Sequence, residues 1–491
     1  MLSHEWSHTA GMRSWFIGAV VFVSAAAVLV LEIIAGRILA PYVGVSLQTF
    51  TGIIGTVLAA IALGAWAGGR LADSNDPTKL LGPVLIGGGL LAVISPALVT
   101  VVGAGASGED PGTIVILAFV GFFAPAAVLS MVTPIAGKLL INSLDSAGSV
   151  VGNLSAIGTS GALFGTFVTG FILIASVPSR PITWVVGAVL ILFGAFAAFE
   201  KSRHLIIPGI VAAIGVFIVS GAIAAPCDYE TAYSCVRIAT DPERETARVL
   251  VLDTFVNSYV DLDDPGYLSL RYALVTDAVV QTVAPVGPLD IAFVGGGGYT
   301  LPRMYQATRG GTSTVLELDP TLEDISVDHL GLEPGPWLTT RVGDARLTIR
   351  DLDDGSFDIV VGDAFSGRSV PWHLTTVEFL TDVRDKLNDS GFYVMNTIDH
   401  PPTRFARGEL ATITEVFPHV AVVAPQAYLD LERGGNFILV GSLQPIDADS
   451  IEALVPDGEI VLVGNAARAW FGDAKPLTDD FAPVDQLISR P

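Results

Sequence analysis

Four short segments, each closing a β-prone run, carry the residues best suited to chemistry: Gly295-Gly296-Gly297-Gly298, Glu317-Leu318-Asp319-Pro320, Gly343-Asp344-Ala345 and Gly362-Asp363-Ala364-Phe365. A glycine run lets bare backbone approach a nucleoside closely before a helix begins. Glu317 can accept hydrogen bonds from two ribose hydroxyls, Asp344 with Ala345 suits an adenine amino group, and Asp363 can take a proton from an incoming nucleophile. Each segment alone is a weak signal, because glycine runs and acidic strand ends are common in α/β loops. Four in order, at one strand spacing, point to a nucleoside site built from Gly295, Gly296, Gly297, Glu317, Asp344 and Ala345, with Asp363 as the reactive group. A dinucleotide is disfavoured, because Thr300 and Leu301 stand where the last glycine of a G-x-G-x-x-G run should fall. Tyr272, Ser366 and His373 can line a neighbouring acceptor pocket, although each also reads as ordinary packing or surface.

The elements that must place these residues are strands alternating with helical segments after Pro285, which predicts a parallel sheet covered on both faces. The expected strands are Ile291–Val294, Thr314–Leu318, Leu338–Val342, Asp358–Val361, Phe392–Asn396, Val420–Val423 and Phe437–Val440. Ligands of such sheets sit beyond the carboxyl ends of the strands, where the four segments lie. Upstream, the runs Tyr233–Ala239 and Arg248–Leu252 flank a polar turn at Asp241–Arg244 and predict a small hairpin-rich subdomain.

The first 225 or so residues have a different character. Seven apolar stretches, near Trp15–Leu39, Phe50–Gly69, Leu80–Val102, Thr113–Leu140, Val150–Val177, Ile182–Phe199 and Leu205–Ala225, are each long enough to cross about 30 Å of hydrocarbon. The first is too long for a cleavable signal peptide. Small residues in Gly158–Ala162 and Gly165–Gly170 would let helix backbones approach closely. Glu32 and Arg37 are ionisable groups near a span, expected to face the bundle and to pair. Arg70 with Lys79, then Lys138, then Lys201 with Arg203 mark alternate loops as cytoplasmic. This bias puts the C-terminal domain outside the cell, where Cys227 and Cys235 can form a disulfide; two lone thiols explain them equally well.

Eight Lys and Arg and eight Asp and Glu fall in residues 1–225, leaving 18 of 26 basic and 41 of 49 acidic residues for the remainder, so the net charge of −23 lies in the C-terminal part. That surface repels nucleic acid and attracts cations, polyamines among them, although solvated acidity alone explains it. Asp abundance with only five Lys also resembles proteins of salt-loving organisms.

The whole pattern resembles the spermidine synthase (polyamine aminopropyltransferase) family, in particular its membrane-fused members. The likeness rests on Leu31–Tyr42 and Gly64–Arg70 in the bundle and, in the soluble part, on the glycine loop, Val315–Pro320, Gly343–Arg346 and Asp363–Gly367 running on to Pro371, Leu374, Thr376, Glu378 and Phe379. It implies a multi-pass helical membrane bundle (1–225), a β-rich subdomain (226–285) and a Rossmann-like α/β domain of the class I methyltransferase type (286–491). It implies transfer of an aminopropyl group from decarboxylated S-adenosylmethionine to putrescine or a related amine, with no resident cofactor and no metal, in contact with membrane lipid and with a homo-oligomer left open.

Three positions depart from the family. Gly298 stands where soluble members carry an Asp that holds the donor's amino group, Ser366 where they carry a second acid for the acceptor, and Ser234 where they carry a glutamine. The nucleoside half of the site is kept and the amine-reading half is thinned, with Asp261, Asp263 and Asp264 as possible substitutes. Two functions stay open: a membrane-bound aminopropyltransferase, or a membrane transporter or sensor whose soluble domain binds a nucleoside or polyamine without turnover.

Overall fold

The computed structural model describes residues 2–105, 110–141, 144–198, 206–283, 287–365, 367 and 369–489. They divide into two compact units, Met1–Arg237 and Ile238–Pro491.

The first unit is helical. Six helices are long and apolar enough to cross a membrane: Ser14–Val43, Leu47–Ser74, Pro77–Gly103, Pro111–Leu140, Ala147–Ser176 and Ser179–Ala198. Of the seventh expected span, the described residues hold the helix Ile206–Ala222. Leu205, Lys201 and Arg203 fall outside the described residues. Side-chain caps set the helix starts: Ser46 accepts from Thr49 N–H at 3.2 Å, Asp76 from Thr78 N–H at 3.0 Å and Asp110 from Thr113 N–H at 3.0 Å. Gly161 and Gly165 lie against Phe22 and Ala26 of the first helix, where any Cβ would collide with a backbone carbonyl oxygen. The expected proximity at small residues is therefore real there, whereas Gly170 has nothing within 4 Å.

The expected Glu32–Arg37 pair is not formed. Arg37 instead forms an ion pair with Glu230 at 3.2 Å and donates to the Ile174 carbonyl at 2.8 Å and to the Thr231 carbonyl. Residues five apart on a helix point to different faces, whereas partners three or four apart meet. Glu230 also accepts from the Ser179 N–H at 3.0 Å. It lies in strand β1 (Tyr229–Glu230), which pairs antiparallel with the start of β2 (Cys235–Asp241). A disulfide joins Cys227 to Cys235 across this turn.

The second unit begins inside β2 and continues with the antiparallel hairpin β3 (Arg244–Leu252) and β4 (Phe255–Asp261). Its main sheet has eight strands, β5 (Leu289–Val294), β6 (Gly311–Glu317), β7 (Leu338–Val342), β8 (Phe357–Gly362), β9 (Leu387–Asp399), β10 (His419–Pro425), β11 (Gly435–Ser442) and β12 (Glu459–Val463), in spatial order β12-β10-β11-β9-β8-β5-β6-β7. All seven expected strands are present; β12 is additional. The sheet is mixed rather than parallel: β5 to β9 pair parallel, but β11 pairs antiparallel with β9 and β10, and β12 antiparallel with β10. The residues between β10 and β11 are too few for the crossover of a dozen or more that parallel neighbours need. Both faces are covered. Along β5, Ile291 and Phe293 pack into one apolar cluster and Ala292 and Val294 into the other, as a period of two requires.

Candidate active site

The second unit delivers all four segments to one sheet edge. The end of β5 is tied on both sides: Gly295 N–H donates to Leu316 O at 2.9 Å and Asp363 N–H to Val294 O at 2.9 Å. Gly295 has φ +97° and faces the Asp363 main chain, where a Cβ would stand 2.7 Å from the carbonyl oxygen, so only glycine fits. The glycine loop is thus flanked by Glu317 on one side and Asp363 on the other.

Glu317, at the end of β6, is buried, with one carboxylate oxygen accepting from Gly296 N–H (2.7 Å) and Gly297 N–H (3.3 Å) and the other from Asp319 N–H (2.8 Å). Burial raises its carboxyl above the usual range, against the pull of these N–H groups. Asp344 follows β7 and caps the short helix Ala345–Thr348, accepting from Arg346 N–H at 2.9 Å, and Ala345 is buried beneath it. His373 comes to Asp344, with its Nε2 3.2 Å from Oδ1. That places His373 beside Asp344 at the end of β7.

Asp363 follows β8, partly buried. The Asn396 amide donates to its Oδ1 at 2.8 Å and Asn436 donates to Asn396 Oδ1 at 2.9 Å, while the nearby Tyr272 hydroxyl donates to the Asn257 main-chain oxygen at 3.4 Å. Burial pushes this carboxyl up to about 7, against the opposing pull of Asn396 and Tyr272. Burial and the Asp363 charge together hold the Tyr272 phenol protonated. A carboxyl poised near neutrality at the end of a sheet strand can accept a proton from an amine. Beside it lies a small recess lined by Val294, Tyr393, Met395 and Asn396.

Asn396 and Asn436 did not stand out in sequence, being single amides within apolar runs. Ser366 lies outside the described residues. Asp261 is unavailable as a substitute acid: burial alone would raise its carboxyl, but Arg244, Thr246 and the N–H groups of Asp263 and Asp264 bond it and hold it well below the usual range. Asp264 stands 3.9 Å from Arg244.

No family model matches the chain. A polyamine aminopropyltransferase of Vibrio vulnificus (strain CMCP6) is 30% identical over 243 residues, covering 46% of this chain and 79% of that protein. The structure of a probable spermidine synthase from Corynebacterium glutamicum ATCC 13032 is 27% identical, covers 54% of this chain and 98% of its own, and superimposes with a TM-score of 0.50. A spermidine synthase in complex with the transition-state analogue AdoDATO is more distant, at 17% identity and a TM-score of 0.35.

The second unit is therefore an α/β domain similar to those of spermidine synthases, in a chain whose first unit is apolar and helical. The chain belongs to the polyamine aminopropyltransferase (spermidine synthase) family.

Proposed function

We propose that this protein is a membrane-bound aminopropyltransferase acting on decarboxylated S-adenosylmethionine and putrescine or a related small amine. The observation that carries this is Asp363, a carboxyl raised to about 7 just past the end of β8 and oriented by the Asn396 amide. In the proposed step the acceptor nitrogen attacks the propyl carbon bonded to the sulfonium. The C–S bond breaks, its electron pair passes to sulfur to leave methylthioadenosine, and the amine proton passes to Asp363. Glu317 takes the ribose hydroxyls with its remaining lone pairs, Asp344 and Ala345 the adenine, and Gly295, Gly296 and Gly297 let the nucleoside lie on bare backbone. Tyr272 faces the acceptor; Ser366 and His373 are the weaker candidates. No resident cofactor or metal enters this scheme.

Membrane attachment is supported by the six long apolar helices and by the side chains they expose, Phe164, Phe167 and Phe171 among them, which suit lipid. The Cys227–Cys235 disulfide supports an extracytoplasmic soluble domain. The division into 1–225, 226–285 and 286–491 follows the same functions: anchor, hairpin subdomain and nucleoside domain.

A second function, a transporter or sensor that binds without turnover, is favoured by the commitment of Asp261 to Arg244, which leaves the amine-reading side short of acids. Incubating detergent-purified protein with radiolabelled decarboxylated S-adenosylmethionine and a panel of amines separates the two. Labelled polyamine supports transfer; nucleoside binding with no labelled product from any amine supports the binding module.

A further inference from the structure

The far end of the glycine loop faces β4. A Cβ at Gly298 would stand 2.7 Å from Ser258 Cβ and 3.0 Å from Leu330 Cδ1, and one at Gly297 would collide with Asn257 Oδ1. With no room for a side chain on the loop itself, the polar groups at this end come from β4. Gly298 N–H donates to Ser258 Oγ at 2.9 Å, so the Ser258 hydroxyl proton is free to go to its other neighbour, Asn257 Oδ1, at 2.7 Å. This relay fixes the orientation of the amide: the carbonyl oxygen is held by Ser258, and Nδ2, a donor, makes no hydrogen bond among the described residues. Asn257 also meets Tyr272, whose hydroxyl donates to its main-chain oxygen at 3.4 Å and which lies near enough to Asp363 to feel its charge.

Asn257 stands against Gly297, whose N–H bonds Glu317, and beside Tyr272, so a nucleoside held by Glu317 would present here the group carried on its sulfur. We propose that Asn257 is the specificity-determining residue for that group and, held in place by Ser258 as a positioning residue, reads it through a neutral amide rather than through a negative charge. The donor's terminal ammonium therefore gains no ion pair at this position, and the protein selects its donor by the nucleoside. This inference rests on the nucleoside-binding function proposed above.

The test compares two probes on the intact, detergent-solubilised protein by calorimetry: methylthioadenosine, which has no ammonium, and decarboxylated S-adenosylmethionine, which has one. The dissociation constants should agree within about 3-fold in the wild type, and Asn257→Asp, which keeps the shape and adds a carboxylate, should favour decarboxylated S-adenosylmethionine by about 10-fold, the effect of one charge-assisted hydrogen bond. A purely structural role for Asn257 predicts no such charge-selective gain. A wild type that already prefers the ammonium-bearing probe by 10-fold or more overturns the proposal, without requiring any variant to fold. So does an unchanged ratio in Asn257→Asp. If neither probe binds the wild type, the nucleoside-binding function falls as well, which separates that failure from this one.

Discussion

The side-chain amide of Asn396 donates a 2.8 Å hydrogen bond to Asp363 Oδ1, and Asn436 braces the same amide from behind at 2.9 Å. Asn396 sits on β9, next to β8, which ends just before Asp363, and Asn436 on β11, the next strand beyond β9, so the reactive carboxyl is aimed from the sheet itself.

This bond favours the ionised carboxylate, so removing it raises the carboxyl further. If Asp363 is the base, kcat/KM should climb with pH through an apparent value near 7. In Asn396→Ala that profile should move to higher pH by about 1 unit, and Asn436→Ala should move it less in the same direction. A profile that does not move in Asn396→Ala removes Asn396 from the proposed mechanism.

How much of this was legible follows from where the signals lie. Strand ends punctuated by Gly and Asp could be read locally, and the order of the four segments survived intact. Asn396 could not, because Met395-Asn396-Thr397 is one amide in a buried strand and its meaning comes from β11, distant in the chain and adjacent only through an antiparallel pairing. Arg37 shows the same limit. Its partner, Glu230, lies nearly the whole helical unit away, while the nearby Glu32 was the only candidate a local reading offered. Likewise β12 is five residues long and its pairing with β10 is set by tertiary context.

Glu317 should matter to nucleoside affinity twice, through the ribose and through the loop N–H groups it holds. Glu317→Ala and Asp344→Ala should each raise the methylthioadenosine dissociation constant about 10-fold or more. A dideoxyribose analogue should bind weakly to the wild type and lose little further in Glu317→Ala, because the two changes remove the same contact. Additive losses would place the ribose elsewhere.

Glu409 is fully buried and neither carboxylate oxygen has a hydrogen-bond partner among the described residues; burial raises its carboxyl well above the usual range. Its stabilising neutral form is complete below the unfolded value of about 4.3 and is lost as pH rises toward the folded one, at up to about 1.4 kcal/mol per pH unit. Thermal unfolding at pH 5 and pH 8 should therefore show Glu409→Gln losing less stability than the wild type across that interval. Parallel losses would contradict a neutral Glu409.

The Cys227–Cys235 bond should leave no thiol to react with a maleimide in freshly isolated membranes and two after reduction and unfolding, since the chain has two cysteines. A cytoplasm-dependent fluorescent reporter fused after Pro491 should stay dark. Reactive thiols together with a bright reporter would put the soluble domain inside the cell.

The most direct measurement is single-turnover transfer from decarboxylated S-adenosylmethionine to putrescine by the wild type and by Asp363→Asn, with methylthioadenosine affinity measured in parallel. Asn preserves shape and removes the proton acceptor, so transfer should fall about 100-fold or more while the affinity stays within about 3-fold. Full transfer by Asp363→Asn would show that the reaction does not run through this carboxylate.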